Sequence, residues 1–255
     1  RENKGFDVWA YRTGLFELGW DKVRKADELI MFNFTVIGPV DSFKPMFSTM
    51  DARDVDFWGI TIHNGADFDP FNVMKDHRIP IHIQSHFIAV RNTILRSKEY
   101  FDYWNDRPMI NHYEEAVGYH EAIFTKYFEE KGYTWDVYVD TWDLVEKTYY
   151  PLFNMPVDLI KNRKCPIFKR KIFIQEYGDT IEENAFEKAK ALYEYLKYET
   201  NYDTRLLDVH LLRSVGQSQF ITGTNLHFII EEKEPIESIN KMCLISRQKY
   251  DSLSK

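Results

Sequence analysis

The sequence predicts a mixed α/β fold. Short runs of strand character alternate with helical stretches from residue 27 to residue 140, the order expected when helices pack on a sheet rather than on one another. Apolar types make up 44% of the 255 residues and charged types 29%, which supplies a core and excludes disorder or a collagen-like repeat. The longest uncharged apolar runs, such as Val36–Val40, fall far below the ~20 residues a bilayer-spanning helix needs.

Residues 27–40 predict a strand with a polar interruption at Asn33–Thr35 and a Gly-Pro turn behind it. Asp41 to Pro45 then opens a short helix, with a capping side chain and a proline in the first turn. Residues 56–62 and 79–90 are further strands, the second alternating Ile81 and Ile83 with His82 and Gln84. From Tyr113, positions 113, 116, 117, 120, 123, 124, 127 and 128 recur at helical spacing up to the stop at Gly132. At ~100° per residue, Glu121 lies about 20° beyond the edge of that stripe, so it borders the core; Glu129 and Glu130 face solvent. Residues 134–140 predict another strand, and 149–170, with three prolines, an irregular segment. Thr180 and Glu183 form a capping box ahead of a helix through Phe186, Ala189, Leu192, Tyr193 and Leu196. Residues 206–214 predict a second helix and 226–230 a short strand.

Forty acidic against 33 basic residues leave a formal charge of −7, which repels a phosphate backbone and argues against a nucleic-acid partner. Cys165 and Cys243 have no Cys-x-x-Cys or Cys/His company, which excludes a disulfide framework and a structural zinc site and fits a cytoplasmic setting. Phe, Tyr and Trp reach 16%; this excess serves either as core filler or as a surface for sugar rings. The basic runs at 161–164 and 169–171 fit either a solvated loop or a contact with phosphate or an anionic membrane face.

Signatures of dinucleotide, P-loop, serine-hydrolase and zincin chemistry are absent. His82 and His86 share one face of their predicted strand about 13 Å apart, too far for one metal ion. His120, on the apolar stripe, reads as a satisfied core histidine. Glu121 by itself reads as a structural carboxylate at a helix edge.

Taken together, R-x-N-x-G-x-D (Arg1 to Asp7), N-F-T-V-I-G-P (Asn33 to Pro39), D-F-W-G-I-T (Asp56 to Thr61), H-I-Q-S-H-F (His82 to Phe87), V-x-x-x-E-x-x-F-T-x-x-F-x-x-x-G (Val117 to Gly132), P-I-F-K-R (Pro166 to Arg170) and Leu211-Leu212-Arg213 follow one order. In that order the chain resembles the rhamnan synthesis protein F family over nearly its whole length.

The resemblance implies a GT-A-like nucleotide-sugar transferase domain over residues 1–178, lacking its N-terminal donor-half strands. A helical segment over 179–235 would pack on it, and 236–255 would start a following domain or linker. It also implies transfer of a deoxysugar, rhamnose from dTDP-rhamnose, to a lipid-linked glycan acceptor, with peripheral contact at the inner face of the cell membrane. Arg1, Asn3, Gly5, Asp7, Asn33 and Thr35 would bind the donor, Trp58, His86 and Phe87 would shape the acceptor site, and Glu121 would be the catalytic base, with Glu114 in reserve. Phe34 stands where the family tends to carry an acid, which puts a Mg²⁺ or Mn²⁺ cofactor in doubt and leaves the diphosphate charge to Arg, Lys and oriented N–H groups. That departure also keeps open a non-catalytic glycan-binding or assembly module with a degenerate transferase fold.

Overall fold

A computed structural model of the chain describes residues 2, 4–70, 72–173 and 185–215. It is mixed α/β and divides into two compact units: Arg1–Val36 with Ser42–Pro166, and Ile37–Asp41 with Ile167–Lys255. Among the described residues no helix is long and apolar enough to cross a membrane.

The first unit begins with α1 (Phe6–Leu18) and α2 (Trp20–Val23), joined at Gly19, whose φ of 87° suits a residue without Cβ. Strand β1 (Glu28–Phe32) ends at the polar interruption read from the sequence, and β2 (Val36–Ile37) follows it. Helix α3 (Lys44–Asp51) starts where Ser42 Oγ accepts the Lys44 N–H at 3.1 Å, with Pro45 in its first turn. The two stretches expected as single strands each break in two: β3 (Phe57–Gly59) and β4 (Ile62–His63), then β5 (His82–Ile83) and β6 (Phe87–Arg91). The second break is caused by Gln84, Ser85 and His86, three successive polar residues that turn inside the protein instead of continuing the alternation.

Next come α4 (Asn92–Leu95) and α5 (Lys98–Asn105), the latter capped by Ser97 Oγ, which accepts the Tyr100 N–H. The long helix from Tyr113 exists, with a local departure. It runs as α6 (Tyr113–Ala116), a π-helical turn (Val117–Glu121) and α7 (Ala122–Glu129). Strand β7 (Trp135–Val137) follows. The segment expected to be irregular instead forms α8 (Pro151–Asn154) and α9 (Pro156–Arg163), because Pro151 and Pro156 occupy first-turn positions, where a missing N–H costs nothing.

The main sheet has the order β1-β6-β3-β7. Strand β6 is antiparallel to both neighbours, and β7 is parallel to β3. Met31 lies opposite Ile88 and Trp58 opposite Ala89, so the central strands are apolar on both faces while edge strand β1 leaves Ile30 and Phe32 exposed. Phe57, Ile88 and Val90 meet Tyr100, Tyr103, Trp104, Phe124 and Phe128 in one core, each buried aliphatic or phenyl side chain contributing about 1.5–3 kcal/mol.

In the second unit, β8 (Phe168–Lys169), α10 (Ala185–Glu199) and α11 (Thr204–Val215) are described. Helix α10 buries Ala189, Leu192, Tyr193 and Leu196, as its periodicity predicts, and Tyr193 donates to Asp208 Oδ1 of α11 at 2.9 Å. The capping box at 180–183 and the short strand expected at 226–230 lie outside the described residues, as does everything from 216 onward.

Candidate functional site

A cluster of polar side chains forms where α1, the end of β1, the β5–β6 turn and the π-helical turn meet. Its centre is Glu121. Residues 117–121 make the wider i to i+5 turn of a π-helix, a form often found as a local insert at functional sites. Helix α7, which continues from Glu121, is tied to strand β5 by the buried Ile83 N–H donating to Thr125 Oγ1 at 2.9 Å. The carboxylate of Glu121 therefore sits over the β5–β6 turn. Ser85 Oγ donates to Glu121 Oε2 at 2.5 Å, and His82 Nε2 lies 3.7 Å from Glu121 Oε1. The Glu121 side chain keeps 25% of its surface exposed, while His82 is buried. A hydrogen bond from a hydroxyl to a carboxylate fixes the direction of the accepting oxygen.

Asp7, in the first turn of α1, is the second acid of the cluster. Its Oδ1 accepts the Val8 N–H at 3.0 Å and its Oδ2 accepts Asn33 Nδ2 at 2.7 Å. Burial, and then the nearby charge of Glu121, raise the Asp7 pKa above its ordinary 3.8, against the opposing bond from Asn33. Tyr11, one turn further along α1, donates to the Ser85 carbonyl at 3.4 Å. Burial and the charges of Asp7 and Glu121 raise its pKa as well.

Asn33 organises the strand end. Its N–H donates to the His86 carbonyl at 3.1 Å, and its Oδ1 accepts both the N–H and the Oγ1 hydroxyl of Thr35, at 3.1 and 2.7 Å. The expected donor residues Asp7, Asn33 and Thr35 are thus linked side chain to side chain, and Asp7 lies within electrostatic reach of Glu121. Gly5, with φ 78°, caps α1 just before Asp7. Arg1 and Asn3 lie outside the described residues.

Asn33 spends its oxygen on Thr35 and its amide on Asp7, and Phe34, 72% exposed, offers no oxygen. Among the described residues no three His, Cys, Asp or Glu side chains gather as metal ligands.

The three residues expected to shape an acceptor site sit in the interior. Trp58 is fully buried, its indole N–H donating to Glu28 Oε2 at 2.8 Å and its ring 5.1 Å from that of Phe87. It is a core residue of the central sheet and offers no open face. Phe87 is buried with it, against Phe32 and Phe47. His86 is buried too, 3.5 Å from Thr61 Oγ1 through Nε2, and reaches the site by its backbone carbonyl. His120 is the core histidine the periodicity predicts: Tyr103 Oη lies 2.8 Å from its Nδ1, and burial pushes its pKa down to about 3. Glu114 is exposed on α6.

Ser85 and His82 are the site residues that sequence reasoning missed. Their signal was the polar triplet 84–86 inside an apolar run, which period-two reading absorbs into one strand instead of marking as an inward turn. The expected pairing of His82 with His86 on one strand face fails for the same reason, since His82 stands on β5 and His86 in the turn that follows it.

No curated protein and no solved structure matches the chain. The rhamnan synthesis protein F family matches residues 1–253, a span that contains every residue of the cluster. From Asp7 at one end of the site to Glu121 at the other, the chain belongs to the rhamnan synthesis protein F family, and its role lies in the synthesis of rhamnan polysaccharide.

Proposed function

We propose that the protein is a glycosyltransferase of GT-A-like build that moves a deoxysugar, rhamnose from dTDP-rhamnose, onto a lipid-linked glycan in a single inverting displacement. One observation carries this reading: the partly exposed Glu121 carboxylate, aimed by Ser85 and flanked by His82, stands beside the Asp7–Asn33–Thr35 strand end. Glu121 takes the proton of the acceptor hydroxyl as that oxygen bonds the anomeric carbon. The bond from that carbon to the diphosphate oxygen breaks at the same time, and its electron pair leaves with dTDP. Asp7 and Asn33, fixed to each other and to the backbone, contribute by orienting the donor. The acceptor's lipid carrier brings the reaction to the inner face of the cell membrane.

The test is Glu121→Gln in the full-length protein. Turnover of dTDP-rhamnose should fall about 10²–10⁴-fold, the share a positioned base supplies, with donor affinity and far-ultraviolet circular dichroism unchanged; a wild-type rate would reject the role. A second reading, a glycan-binding or assembly module that has lost chemistry, draws on Phe34 in place of an acid. Titration with dTDP-rhamnose, UDP-sugars and free oligosaccharide separates the two, because the module binds only the last.

A further inference from the structure

We propose that the aromatic surface of His63, Phe68 and Tyr149 is the seat of the growing neutral glycan, leading its terminal sugar to Glu121; the direction of that path rests on the reading of Glu121 as the base. Stacked rings connect the two places. His82, whose Nε2 lies 3.7 Å from Glu121, stacks on His63 with ring centres 5.1 Å apart and planes 11° from parallel. His63 in turn meets Tyr149 at 5.8 Å, and Tyr149 meets the edge of Phe68 at 6.4 Å and 82°. The two outer rings are 51% and 55% exposed, so they form an open corner, which the buried His82 ring and His63 join from within to the Glu121 carboxylate.

The corner is held rigidly. Asn64 donates its N–H to the Tyr149 carbonyl at 2.8 Å and its Nδ2 to the Thr148 carbonyl at 2.7 Å. Thr148 Oγ1 then accepts the Tyr150 N–H and Asn154 Nδ2. A platform fixed before the ligand arrives loses little entropy on binding. Its chemistry selects the occupant. The exposed faces of Phe68 and Tyr149 complement the C–H faces of a sugar ring, and a 6-deoxy sugar adds an apolar methyl. Asp67 and Asp69 flank Phe68 in the chain, and their charge opposes a diphosphate. The surface therefore suits the uncharged acceptor rather than the nucleotide donor.

The experiment titrates a free rhamnan oligosaccharide into the full-length protein by calorimetry, without donor. Phe68→Ala and Tyr149→Ala should each weaken binding about tenfold, the scale of one ring contact, while Tyr149→Phe retains the wild-type affinity. Both positions are exposed, so the thermal midpoints of the variants should match wild type. In turnover assays the alanine variants should raise KM for the acceptor and leave kcat and donor KM in place. Unchanged affinity in the double alanine variant overturns the proposal. So does oligosaccharide that fails to bind wild type, including the case where light scattering shows a second copy of the chain covering the surface. The two readings fail separately. Binding through Tyr149 without any turnover leaves the glycan seat standing and removes the transferase, whereas turnover that needs Glu121 but ignores Phe68 and Tyr149 does the reverse.

Discussion

Asp7 and Glu121 are two carboxylates held in one cluster, and their coupling has a measurable sign. The Asp7 pKa is raised by burial first and by the charge of Glu121 second. A raised folded-state pKa means that the folded protein binds the proton more tightly than the unfolded chain. The stability associated with protonated Asp7 is thus fully present below its ordinary 3.8 and is lost as pH rises through the raised folded value. Glu121→Gln deletes the second cause and should bring the folded value down. Thermal midpoints of wild type and Glu121→Gln, measured across the range above pH 4, should therefore converge at the acid end and separate as pH rises, with the variant the more stable. Parallel curves would mean that the two acids do not sense each other. Ser85 makes the same point from the other side, since its single short bond turns one carboxylate oxygen while the carboxylate keeps an exposed edge.

The π-helical turn is the element that makes this geometry. In an uninterrupted α-helix the apolar stripe from Tyr113 would continue in phase to Phe128; one wider turn at 117–121 changes that phase immediately before α7. The turn also needs Gly118. A Cβ there would lie 2.1 Å from Val73 Cγ2, so the loop carrying Val73 packs directly onto the helix backbone. Gly118→Ala should lower the urea midpoint, because overpacking costs about 1–3 kcal/mol against a helix-propensity gain of about 1 kcal/mol. Placed in a Val73→Ala background, the same substitution should cost less, since the methyl at 2.1 Å is gone and only the Val73 Cβ, at 2.9 Å, remains close. A cost undiminished in the double variant would mean that the backbone of the turn, and not the Val73 contact, demands glycine.

For the whole molecule, the formal charge of −7 is the property with the longest reach. A fluorescently labelled duplex DNA should show no anisotropy change with micromolar protein near physiological salt, where a nucleic-acid binder would respond. A salt-sensitive rise would contradict that expectation. The dense basic run at 161–164 is consistent with this expectation. Arg163 spends its guanidinium on Asp143, at 2.7 Å, and on Asp158, at 3.2 Å, so part of that local reversal of sign is neutralised inside the fold.

What the chain states locally can be read from it directly. Helical period placed His120 in the core and Glu121 at the rim, a reading that survives the π-helical turn at 117–121 although that turn departs from 100° steps, and the polar break at Asn33–Thr35 marked a strand end without reference to anything distant. The alternation of strands and helices, and hence the α/β class, is local in the same sense. The convergence of Asp7, Asn33, Ser85 and Glu121 is not, since these positions lie 26 to 114 residues apart along the chain and meet only through hydrogen bonds that the backbone path creates. Period-two alternation also carries no record of whether a strand is central or at an edge. Trp58 and Phe87, which resemble wall residues by composition, were therefore claimed by the core once β3 and β6 paired in the middle of the sheet. Sequence by itself determined the family, the fold class and the face on which Glu121 stands. Only the tertiary structure decided which side chains surround it, because burial and long-range pairing are properties of the assembled sheet and not of any segment read alone.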